Sequence, residues 1–175
     1  LLEGVTSSGK TLIYTHLIKE ALDRGEQVLY VLPEIGLTHH LILRLKKYFG
    51  SSLGVYHSKF KKDERVEIWN KVLENDKNGG RVILGARSSI FLPFKKLGLI
   101  IVDEEHDSSL KQYQPAPRYH ARDSAIMLAN IMNCKIILGS ATPSMESRWL
   151  AMEGKYNWVR LKKRFGEIKM PEIVI

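Results

Sequence analysis

Hydrophobic residues in this chain fall by turns into short continuous runs and into helical spacing. Apolar Leu1 and Leu2 resemble the end of a strand before a stretch of small residues, and Leu12, Ile13, Leu17, Ala21 and Leu22 then recur at the helical interval. Arg24-Gly25 reads as a stop, residues 27–32 as a buried strand, and Pro33 as its end. Leu37, Leu41, Leu43, Leu45 and Tyr48 predict a second helix reaching Gly50. Val55, Tyr56 and His57 predict a short strand, and Val66, Ile68, Trp69 and Leu73 a third helix that Asn78-Gly79-Gly80 closes. Strands are predicted over 82–85 and 97–103, the second being the most hydrophobic of the chain. Residues 107–117 are polar, hold two prolines and lack a period, which predicts a loop. A helix over 119–132, a strand over 135–138, a helix over 143–152 with Thr142 at its N-cap, and a short strand over 158–161 complete the pattern.

Strands alternating with helices, the strands apolar throughout, predict an α/β fold with a parallel sheet and helices on both faces, three layers in all. The 175 residues, 44% of them hydrophobic, suit one domain over 1–161, and the basic Lys162-Lys163-Arg164 opens a linker over 162–175. The chain starts at Leu1 and not at Met, so a piece of a longer protein is expected. There is no signal peptide and no apolar run near 18 residues, which points to a soluble, cytoplasmic protein with no membrane partner. The single Cys134 excludes an internal disulfide and reads as a small buried side chain. The net charge of +8 is compatible with a polyanionic partner, although scattered lysines also make an ordinary solvated face.

Charge becomes informative beside the stretch Gly4-Val5-Thr6-Ser7-Ser8-Gly9-Lys10-Thr11, which fits G-x-x-x-x-G-K-[ST] at every fixed position. A polyphosphate needs many unobstructed donors, and a loop of small residues opening into a helix supplies them. Gly4, Thr6, Ser8, Gly9, Lys10 and Thr11 are therefore candidate ATP-binding residues, Lys10 for the β- and γ-phosphates and Thr11 as a ligand for Mg²⁺. Val102-Asp103-Glu104-Glu105-His106 ends the most hydrophobic strand, at the sheet edge where ligands sit in open α/β folds. Asp103 would share the Mg²⁺ with Thr11, and Glu104 would polarise the attacking water, so Lys10, Asp103 and Glu104 form the catalytic set. Gly139-Ser140-Ala141-Thr142-Pro143 also follows a strand. Its hydroxyls could link hydrolysis to motion, or Thr142 could simply cap a helix, and the two readings are compatible.

These three stretches resemble motifs I, II and III of superfamily 2 helicases. Val31-Leu-Pro-Glu-Ile-Gly-Leu-Thr38 and Gly85-Ala-Arg-Ser-Ser-Ile-Phe-Leu-Pro-Phe94 resemble motifs Ia and Ib of the PriA family of primosomal replication-restart helicases. The segments 103–109 and 117–123 are similar to that family's signature around its aromatic-rich loop. Ser7 stands where the family often has Gly, Ala86 where Thr is usual, and Leu110 where an aromatic is common. The resemblance implies a RecA-like lobe, the first of two, from a bacterial ATP-dependent 3′-to-5′ DNA helicase acting in replication restart. It further implies single-stranded and forked DNA and the primosome and replisome-loading proteins as partners, a second lobe, and a zinc module elsewhere in the full-length protein. The lobe alone is expected to be inactive.

Glu105, His106, Ser140 and Thr142 become candidate coupling residues, and Gly36, Thr38, Arg87, Ser88 and Tyr113 candidate DNA contacts. Alternatives stand beside them: Thr38 could cap a helix, Arg87 could pair with an acid, and Tyr119, also a DNA candidate, could be half-buried core. Two other functions compete, a translocase subunit of a restriction or remodelling complex and a catalytically idle DNA-binding module.

Overall fold

The computed structural model describes residues 1–57 and 60–165. Residues 166–175, most of the expected linker, lie outside the described residues. In chain order the elements are β1 (Leu2–Gly4), α1 (Lys10–Asp23), β2 (Gln27–Val31), α2 (His39–Phe49), β3 (Leu53–Tyr56), α3 (Lys62–Glu74), β4 (Val82–Gly85), β5 (Leu97–Asp103), β6 (Lys111–Gln112), β7 (Tyr119–His120), α4 (Ala121–Ile131), β8 (Lys135–Ser140), α5 (Met145–Met152) and β9 (Val159–Leu161). Seven strands form one sheet in the order β3-β4-β2-β5-β8-β1-β9, and every pairing in it is parallel.

The sheet explains why its strands are apolar at successive positions. Leu29, Val31, Ile100 and Val102 enter one core with Val72 of α3 and Ala121, Ala125 and Ala129 of α4. Val28, Tyr30, Leu99 and Ile101 enter the other, with Tyr14 and Ile18 of α1 and Leu45 and Phe49 of α2. Side chains alternate between faces, and both faces are covered. The predicted α/β class and three-layer arrangement match this architecture.

Two boundaries differ from expectation. Tyr119 begins no helix: Tyr119 and His120 pair antiparallel with Gln112 and Lys111, so the loop over 107–117 contains a short ribbon, and α4 starts at Ala121. The helix expected from 143 begins at Met145, with Ser144 and not Thr142 as its N-cap: Ser144 Oγ accepts from Ser147 N (3.2 Å), and Thr142 Oγ1 lies 3.3 Å from His106 Nε2 instead. Cys134 is half-buried, and burial raises its thiol pKa.

At the edge where the strands enter, the fully buried Gln27 makes four hydrogen bonds. Its Nε2 donates to the carbonyls of Val72 and Gly80 (2.8 Å each), and its Oε1 accepts from the amides of Lys95 (2.9 Å) and Lys96 (3.0 Å). One amide thereby ties the end of α3 to the entries of β4 and β5. Gln27→Leu strands four backbone groups in an apolar setting and is expected to cost about 3 kcal/mol or more, read as a lower denaturation midpoint at unchanged slope.

Candidate active site

The site is built where β1, β5 and β8 end. β8 lies between β1 and β5, pairing Gly139 with both Leu2 and Asp103. The loop after β1 and the acids after β5 therefore flank one strand and face a common cleft of about 660 Å³, lined among others by Thr6, Ser8, Lys10, Thr11, Asp103 and Glu104. Gly4 closes β1 beneath it.

The loop leaves its donors available. Gly9 adopts φ +91°, a conformation open to glycine, and α1 begins after it with no side-chain cap and no acid in its first turn. Among the described residues the amides of Gly9, Lys10 and Thr11 have no acceptor, and the buried Ser8 Oγ has no partner. Such a cradle suits an anion. Lys10 Nζ rests on the loop's own Gly4 carbonyl at 2.6 Å. Ser7 holds φ +62°, in the left-handed region that glycine adopts most easily.

Asp103 is held from beneath by two hydroxyls: Tyr14 donates to Oδ1 (3.1 Å) and Tyr30 to Oδ2 (3.0 Å). A side chain at Gly139 would collide with the Tyr14 hydroxyl, so this approach needs glycine there. Burial raises the Asp103 pKa, while the tyrosine bonds and the charge of Lys10 pull it back. Burial also raises that of Glu104, and the neighbouring Asp103 charge adds to it. Glu104 sits at φ +50°, a strained turn for a side chain with Cβ, and it aims the acids away from the strand.

A polar path joins this turn to the end of β8. His106 Nδ1 lies 3.7 Å from Glu104 Oε2 and 2.8 Å from Ser140 Oγ, and its Nε2 lies 3.3 Å from Thr142 Oγ1. A single Nε2–H tautomer satisfies both hydroxyl contacts.

On the same sheet edge, beyond β2 and β4, lie the other nominated residues. Gly36 ends a short 3₁₀ turn, and Thr38 caps α2 by accepting from Leu41 N (3.3 Å), as its alternative reading anticipates. Among the described residues Arg87 pairs with no acid: its Nη1 donates to the carbonyls of Ser109 (3.2 Å) and Lys111 (3.4 Å). Arg87, Lys111, Tyr113 and Arg118 line a second cleft of about 520 Å³, and Ser88 lies half-buried in the turn beginning at Arg87. Tyr113 is exposed, with Lys111 Nζ 5.0 Å from its ring centre. Tyr119 packs edge-on against Phe91 at 5.0 Å and is half-buried.

A family model described as DEAD/DEAH box helicase matches residues 1–148. The chain belongs to the DEAD/DEAH box helicase family. It is 44% identical over 173 residues to the replication restart protein PriA of Bacillus subtilis (strain 168), covering 99% of this chain and 21% of that protein. With the Haemophilus influenzae replication restart protein PriA it shares 46% over 166 residues, 95% of this chain and 22% of the relative. The chain thus spans about a fifth of the length of the curated relatives it matches. Among solved structures, RecG bound to a three-way DNA junction aligns with TM-score 0.63 at 22% identity, over 92% of this chain and 20% of that one. The Pyrococcus furiosus Hef helicase domain aligns with TM-score 0.58 at 17% identity, over 95% and 36%. These two establish a shared RecA-like fold. No helix among the described residues is long and apolar enough to cross a membrane.

In this DEAD/DEAH box domain Glu105 points away from the cleft. It is fully buried and accepts from Arg122 Nη1 (3.1 Å), Ser144 N (2.7 Å), Ser144 Oγ (3.1 Å) and Ser147 Oγ (2.8 Å). One carboxylate so fastens α4 and the start of α5 to the acid turn. Arg122, Ser144, Ser147, Tyr14 and Tyr30 were not legible as site residues in the sequence. The available signal was chemical: Tyr14 and Tyr30 lie in apolar elements, and a buried phenol needs an acceptor.

Two outcomes follow. Arg122→Met leaves the buried Glu105 charge uncompensated and is expected to cost about 3–5 kcal/mol in chemical denaturation, with a substantial part recovered when Glu105→Gln is added. Glu104 has a raised folded pKa, so the stability it contributes is complete below its ordinary value of 4.5 and is lost as pH rises through the folded value. Glu104→Gln should therefore raise Tm at pH 7, and the gain should vanish near pH 4.

Proposed function

We propose that this chain is the first motor lobe of an ATP-dependent DNA helicase of the replication-restart type, residues 1–161 forming the lobe and the residues from 162 leading toward a second. One observation carries the reading: Lys10, Thr11, Asp103 and Glu104 meet in a single cleft under a cradle of free amides. ATP would lay its phosphates on Gly4, Thr6, Ser8 and Gly9, and the Lys10 ammonium would leave the Gly4 carbonyl for the β- and γ-oxygens. Among the described residues no group of three or more His, Cys, Asp or Glu could hold a metal. Magnesium does not need one, since Thr11, Asp103, phosphate oxygens and water suffice, and it would offset the charge developing on the transferred phosphoryl group.

Glu104 would orient the water that attacks the γ-phosphorus. The bond from that phosphorus to the bridging oxygen breaks, ADP and phosphate leave, and the water's proton passes through Glu104 to solvent. His106, Ser140 and Thr142 would carry the change at the γ-position to the end of β8, while Glu105 holds the turn in place. Gly36, Thr38, Arg87, Ser88, Tyr113 and Tyr119 would face one DNA strand, mainly through its phosphates. Similarity to replication restart proteins supports a role in replication restart. The helicase would act on forked and single-stranded DNA with 3′-to-5′ polarity, with primosome and replisome-loading proteins as partners and a cytoplasmic site of action. The cleft has one wall in this lobe, so turnover requires the second.

In the full-length protein ATP hydrolysis should depend on DNA, and Lys10→Ala should lower it by at least about 100-fold while leaving DNA affinity within about twofold. Equal hydrolysis with and without single-stranded or forked DNA would overturn the helicase reading.

A further inference from the structure

The segment after β9, expected to leave the domain as a linker, turns back along the phosphate loop. β9 pairs with β1 as far as Gly4 and Leu161, Val5 N donates to the Leu161 carbonyl (3.3 Å), and Phe165 N donates to the Ser7 carbonyl (2.8 Å). Backbone bonds on both sides of residues 162–164 thus register this stretch against the loop. They bring the Phe165 ring to Gly9, close enough that a Cβ on Gly9 would lie 3.9 Å from Cδ2 of the ring.

Phe165 stays 68% exposed although it is apolar, and it lines the phosphate cleft. Two further large apolar groups reach the same cleft while exposed: Leu12 in the first turn of α1 (45%) and Tyr48 on α2 (55%). Arg44, one helical turn before Tyr48, joins them. The cleft lining therefore combines the polar loop and acids with the exposed aromatic rings of Phe165 and Tyr48. Exposed apolar surface gathered beside a polyphosphate cradle suits a ligand with a flat π-face attached to phosphates.

Building on the nucleotide reading above, we infer that Phe165, which shares the cleft with Tyr48, is the base-stacking wall of the nucleotide site. The base is gripped by a ring that follows β9 in sequence and is held against the loop by the β1–β9 pairing and by the bond from Phe165 N to the Ser7 carbonyl. Phe165 carries no hydrogen-bonding group on its ring, so its contribution is to stack.

The test measures equilibrium binding of ATP and of inorganic tripolyphosphate to the full-length protein by calorimetry. Phe165→Ala should weaken ATP by about tenfold, the loss of one stacked base, and leave tripolyphosphate within twofold. Phe165→Trp should restore ATP affinity. Unchanged ATP binding in Phe165→Ala overturns the inference, as does an equal loss of ATP and tripolyphosphate, which would make the ring a prop for the loop. If the unsubstituted protein binds neither compound, the nucleotide reading itself fails.

Discussion

The parallel pairing of β1, β8 and β5 is the constraint from which the site follows. Parallel strands all finish at one edge, so the loops after β1, β5 and β8 must converge there whatever their separation in sequence. The same pairing obliges each strand to be covered on both faces, which consumes its apolar side chains in two cores and leaves only the strand ends for polar chemistry. Placing β8 in the middle brings Ser140 and Thr142 within reach of His106, so one imidazole joins the acid turn to the strand end.

At that edge the structure tolerates local cost. Burial opposes the charge on Asp103, and the hydroxyls of Tyr14 and Tyr30 offset part of the penalty without supplying a cation that would compete with a metal. Ser7 and Glu104 both hold positive φ, and each belongs to a turn that faces the cleft. The other two non-glycine residues with positive φ among the described residues, Asn75 and Asn133, follow α3 and α4, where such a residue commonly ends a helix.

The parts of this arrangement that depend on local spacing were legible in the sequence. The phosphate loop and the acid tetrad have fixed internal intervals, and strands buried on both faces announce themselves as unbroken apolar runs. Strand order was not legible, because nothing within β8 states that it lies between β1 and β5. Tyr14 and Tyr30 carry no motif, since their rings are core and only their hydroxyls reach the site. Thr142 and Ser144 are both hydroxyl residues flanking Pro143, and only the fold decides that Ser144 caps the helix while the Thr142 hydroxyl meets His106. Tyr119 carried a helical neighbourhood and was claimed by Gln112 across a ribbon. Glu105 drew notice as an acid, but its partner Arg122 sits across a loop whose path no periodicity describes.

The Gln27 clasp divides the domain mechanically. It binds only main-chain atoms, which cannot swap partners without unfolding the segments that carry them, so the entry side of the sheet behaves as a rigid frame. The opposite rim is stitched by hydroxyls, an imidazole and an ammonium, all of which rotate onto new partners at little expense. A change of partners at the rim therefore leaves the entry side of the sheet where it is.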